Sequence, residues 1–88
     1  MKVVVLYRPN SEYARAVEEF SREFSRQYPD KKIDLISVDT RDGSATASLY
    51  DILRYPAVLA LSDDGRVIQE WHEQTLPLIR EVSYYISR

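Results

Sequence analysis

The spacing of apolar residues changes from element to element along the chain. Val3, Val4, Val5 and Leu6 form an unbroken run, the pattern of a strand buried on both faces. Pro9 breaks it. Ala14, Val17, Phe20, Phe24 and Tyr28 then recur at steps of three and four, with Arg15, Glu18, Glu19, Arg22, Glu23 and Arg26 on the remaining surface. That spacing predicts an amphipathic helix, capped by Asn10 or Ser11, with Glu12 in its first turn. Tyr28-Pro29 ends it, because a residue before proline avoids helical geometry.

Ile33, Leu35, Ile36 and Val38 predict a second strand. Asp42-Gly43-Ser44 reads as a loop and cap, and Ala45 to Leu53 as a short helix. Pro56 precedes a wholly apolar strand, Ala57 to Leu61. "SDDG" follows, with Asp63 and Asp64 as turn residues, and predicts a hairpin into Val67 to Trp71. In that strand Trp71 alternates inward with Val67 and Gln69. Thr75 caps a last helix with Pro77 in its first turn and Leu76, Ile79, Val82, Tyr85 and Ile86 turned inward.

The order β-α-β-α-β-β-α predicts an α/β fold. The first two strands run parallel through a right-handed crossover and the last two antiparallel, giving a four-stranded mixed sheet with helices on both faces.

Composition narrows the chemistry more than the fold. Eighty-eight residues, 44% hydrophobic and 30% charged, suit one domain over residues 1–88. With no cysteine, thiol catalysis, cysteine-ligated zinc and iron–sulfur clusters are excluded. A single histidine, His72, leaves little for a transition metal, and the Asp39, Asp42 and Asp51 spacing matches no calcium loop. No metal and no cofactor are expected. A net charge of −2 with both signs interspersed argues against nucleic acid, and two glycines are too few for a phosphate loop. The apolar runs are too short for a membrane span or a signal peptide, which makes the cytoplasm the expected compartment.

Two blocks carry a resemblance. "YRPNSEYA" resembles the glutaredoxin pattern of Tyr, a spacer, then Cys-Pro-Tyr-Cys, with Ser11 on the nucleophilic cysteine, Glu12 on the proline, Tyr13 on the tyrosine and Ala14 on the resolving cysteine. "ISVDTRDGSATASLYDILRYP" and "RYPAVLALSDDGRVIQEW" resemble the thioredoxin stretch through its cis-proline, apolar strand and acidic hairpin. The chain is thus similar to the thioredoxin and glutaredoxin superfamily over nearly its whole length. The resemblance implies the three-layer thioredoxin-like fold, a cis Tyr55-Pro56 bond, and a groove where the residue before that proline pairs with an extended peptide.

The resemblance stops at sulfur. A helix start can lower a thiol pKa enough to make a nucleophile, but a serine hydroxyl needs a neighbouring base. Dithiol–disulfide exchange is excluded, and no catalytic residue is expected. Ser11 has two readings: a cap, or part of a helix start that attracts an anion. Tyr7, Ser11, Glu12, Tyr13, Tyr55 and Pro56 are the candidate peptide-binding residues. Each tyrosine also suits the rim of a small core. Glutathione binding is disfavoured, because "HEQTLP" stands where glutaredoxins carry a Gly-Gly-acidic signature.

The function expected is a redox-inactive, thioredoxin-like binding or adaptor module. The alternatives are a redox-related or glutathione-dependent enzyme acting through a partner's thiol, and a structural dimerisation subunit. The expected partner is a protein or peptide rather than nucleic acid or membrane, with the chain itself a monomer or weak homodimer.

Overall fold

The computed structural model describes residues 1–72 and 76–86. Strand β1 spans Lys2–Tyr7, helix α1 Ala14–Gln27, strand β2 Lys32–Ser37 and helix α2 Arg41–Leu49. Strands β3, Ala57–Leu61, and β4, Val67–Trp71, form the hairpin, and helix α3 spans Ile79–Ile86. The sheet order is β2-β1-β3-β4, with β1 parallel to β2 and antiparallel to β3, and β3 antiparallel to β4.

Two cores lie on opposite faces of this sheet. On one, Val3, Val5, Val58 and Ala60 meet Val17, Phe20 and Phe24 of α1 and Val82 and Ile86 of α3. On the other, Val4, Leu6, Leu59 and Leu61 meet Val38, Ala47 of α2 and Ile52. The unbroken apolar runs of β1 and β3 follow from this, since alternate side chains of a central strand fill different cores.

Helix α1 is one expected element with a corrected start. Neither Asn10 nor Ser11 caps it: the cap position is Tyr13, with no side-chain hydrogen bond, and no acidic residue lies in the first turn, so Glu12 falls outside. The Ser11 hydroxyl instead donates backwards to the Arg8 carbonyl at 2.5 Å. The helix begins beyond Ser11, with Tyr13 at the cap position, so Ser11 closes the preceding turn rather than the helix.

Helix α2 is shifted from Ala45–Leu53 to Arg41–Leu49. Thr40 caps it, accepting from the Gly43 amide at 3.0 Å and donating to the Ser37 carbonyl at 2.8 Å. Gly43 is therefore inside the first turn rather than in a loop. The helix stops where Asp51 takes a left-handed φ of 56°.

The hairpin forms as expected, with Gly65 at φ 84° and its amide donating to the Ser62 carbonyl at 3.0 Å. Asp64 accepts from the Ser62 hydroxyl and the Arg66 amide, and the first of these bonds chiefly holds its carboxyl below the usual range. The expected alternation along β4 is broken, however. Leu61 pairs with Val67 and Ala60 with Gln69, so Ile68 is an extra residue, a β-bulge. The bulge puts Val67 against the α2-side core, while Trp71 packs with α1 and α3.

At α3, Pro77 lies ahead of the helix rather than in its first turn, and Thr75 lies outside the described residues. The Leu78 amide donates to the Glu81 carboxylate at 3.2 Å, half of a capping box, which explains the start at Ile79. Leu76, Ile79 and Tyr85 pack on the α1-side core beside Val82 and Ile86, as expected.

Candidate binding site

The first two strands feed helices on opposite faces: β1 leads to α1 on one side and β2 leads to α2 on the other. The loops at their carboxyl ends therefore diverge to opposite faces, the kind of place where open α/β sheets hold ligands. The last register pair there is Tyr7 with Ser37, and the Val38 amide extends it to the Tyr7 carbonyl at 3.0 Å.

Arg8 opens the first of these loops, directly after β1. Its guanidinium donates to Asp39 Oδ1 at 2.7 Å, and its Cζ lies 5.4 Å from the centre of the Tyr55 ring. Its own amide donates to the Tyr13 hydroxyl at 3.2 Å, and its carbonyl accepts from Ser11. One residue thus joins the loops after β1 and β2 and the loop before β3. The Arg8 and Asp39 side chains are about half exposed, at 54% and 46%. A pair that open to water adds little stability, so its arrangement matters more as a surface than as a brace.

Several expected site residues are brought to Arg8 and others are not. Ser11 bonds its carbonyl, Tyr13 its amide, and Tyr55 stacks beneath its guanidinium. Tyr7 is not at this site: its side chain is buried in the α1-side core, so only its main chain reaches the Arg8 loop. Tyr13 packs at the margin of that core and Tyr55 at the margin of the other, with Arg8 between them. Glu12 is exposed, and Ala14 and Pro56 are buried. The Ser11 amide donates to the Arg8 carbonyl at 3.2 Å, so it is not presented to an anion.

The Tyr55-Pro56 peptide bond is cis. The Tyr55 hydroxyl donates to the Ile52 carbonyl at 3.2 Å, fixing the ring over the loop. Among the described residues no backbone hydrogen bond engages the Tyr55 amide or carbonyl, and strand pairing begins only at Ala57. His72 stands elsewhere, 3.4 Å from the Glu70 carboxylate. The "HEQTLP" segment falls partly outside the described residues.

Arg8 and Asp39 were absent from the residues expected at the site. Each is an ordinary charged residue in a polar stretch, with no motif to mark it. The legible signal was positional: each follows closely on the carboxyl end of one of two parallel strands.

No protein-family model matches the chain, and no curated protein matches it. Solved structures do. Thioredoxin 1 from the thermophilic eubacterium Thermosipho africanus TCF52B superposes with a TM-score of 0.74 at 17% identity, over 99% of this chain and 91% of that one. Thioredoxin O2 from Arabidopsis thaliana, in its oxidised state, gives 0.74 at 14% identity, over 98% and 71%. A chain from the structure addressing thiol resolution in yeast mitochondrial 1-Cys peroxiredoxin gives 0.72 at 16% identity, over 97% and 74%. These likenesses establish a thioredoxin-like fold, here carried by a chain without cysteine.

Proposed function

We propose that this redox-inactive thioredoxin-like domain is a peptide-binding module, and that its ligand is an extended segment laid across the loop at Tyr55. The observation that carries this reading is the Arg8 cluster at the carboxyl ends of β1 and β2, beside a Tyr55 main chain with no backbone partner among the described residues. An extended peptide adds to such a main chain by strand-like hydrogen bonds, while neighbouring side chains select its residues. Tyr13 and Tyr55 provide amphipathic rings suited to recognition, and Arg8 provides a planar face of donors. With no cysteine thiol in the chain, the domain itself carries out no thiol–disulfide exchange.

The test is selection of peptides from a randomised display library, followed by NMR titration of the best binder. Shifts centred on Arg8, Tyr13 and Tyr55, with weaker binding in Arg8→Ala, are expected. Binders whose shifts map elsewhere and whose affinity ignores Arg8→Ala would falsify the proposal.

A further inference from the structure

The solvent side of α2 differs from the rest of the surface. In a chain that is 30% charged, residues 43–50, GSATASLY, carry no charge. Gly43 and Ala47 face the sheet, so the outward stripe one turn apart is Arg41, Ala45, Ser48 and Leu49, all exposed. Leu49 is 75% exposed, and Leu53 just beyond the helix is 89% exposed.

The charges that bracket this stripe are placed against the helix dipole. Arg41 is the first residue of α2, at the end with positive partial charge, and Asp51 follows the end with negative partial charge. Neither side chain has an ion-pair or hydrogen-bond partner among the described residues.

We infer that α2 is the contact face of a symmetric homodimer, packed antiparallel against α2 of a second copy. A two-fold axis beside Ala45 and Ser48 puts these small side chains at the crossing point, where they allow the helices close approach. Leu49 then lies beside Ala45 of the second copy. Arg41 comes beside Asp51 of the second copy, and this pairing occurs twice. Each charge thereby meets both an opposite charge and the helix end that its sign favours. The ligand of this face is thus the chain itself, selected by charge order as well as by apolar cover. One short helix per copy covers less than the ~1,200 Å² at the low end of specific interfaces, so the association is weak and salt-sensitive.

Sedimentation equilibrium across micromolar to millimolar protein tests this, together with NMR shifts on dilution. Expected are a concentration-dependent dimer, dilution shifts confined to residues 41–53, and at least tenfold weaker association in Arg41→Glu or in high salt. Ala45→Glu, on an exposed position, leaves the circular dichroism spectrum unchanged and abolishes the dimer. A protein that stays monomeric throughout overturns the inference. So does a dimer that survives Ala45→Glu, or one whose dilution shifts lie along β2 or β4.

Discussion

Gly43 in the first turn of α2 lies directly against the Ser37 carbonyl at the end of β2. A β-carbon at Gly43 would stand 1.7 Å from that oxygen and 2.6 Å from its carbon. Both are backbone atoms, with no flexible side chain to yield. The close approach seats α2 on the sheet and lets Thr40 bond both Ser37 and Gly43.

Gly43→Ala is therefore destabilising, although alanine is the better helix former by about 1 kcal/mol. Overpacking of this kind costs about 1–3 kcal/mol. Each kcal/mol lowers the melting temperature of a domain this size by about 4–8 °C. Thermal unfolding measures it, and an unchanged or raised Tm contradicts the packing described.

Arg8→Ala separates binding from stability. The bonds to Ser11 and Tyr13 use the Arg8 main chain, so the turn keeps them, while Asp39 and Tyr55 lose the guanidinium. Chemical denaturation is expected to show a loss of no more than about 1 kcal/mol. Arg8→Lys keeps the charge without the planar stacking group, and its crosspeaks around Tyr55 should resemble those of Arg8→Ala.

Asp51 holds a left-handed φ of 56°, a conformation that aspartate tolerates and β-branched residues do not. Asp51→Gly should change stability by no more than about 1 kcal/mol, and Asp51→Val should cost about 1–2 kcal/mol. Urea unfolding of the two variants decides between this and a side-chain role for the carboxylate.

Glu23 on α1 accepts from the Arg26 guanidinium and from Gln27 at 2.8 Å. The Arg26 bond is the main cause that lowers its pKa from 4.5 to about 2, with Gln27 next. Because the folded value lies below the unfolded one, whatever stability the pair gives is complete above pH 4.5 and is lost as pH falls through about 2. The carboxyl is exposed, so high salt should weaken the effect. NMR titration of the Glu23 carboxyl should show its midpoint well below the ordinary value of 4.5. Arg26→Ala should return it towards 4.5.

The apolar pattern by itself determined the number, order and type of the elements, because burial on one or both sides imposes spacings of two, of one, or of three to four. Composition determined what the chemistry excludes, since no fold supplies a missing thiol. Tertiary structure decided the rest. Local signals placed the start of α2 at Ala45, yet contact of Gly43 with Ser37 favours a helix from Arg41. Strict alternation put Val67 beside Trp71, yet the bulge at Ile68 turned it to the other core. Arg8, Asp39 and Tyr55 come from three separate loops and carry no shared motif. The parallel register of β1 with β2 and the antiparallel pairing of β1 with β3, the strand after Tyr55, bring these residues together.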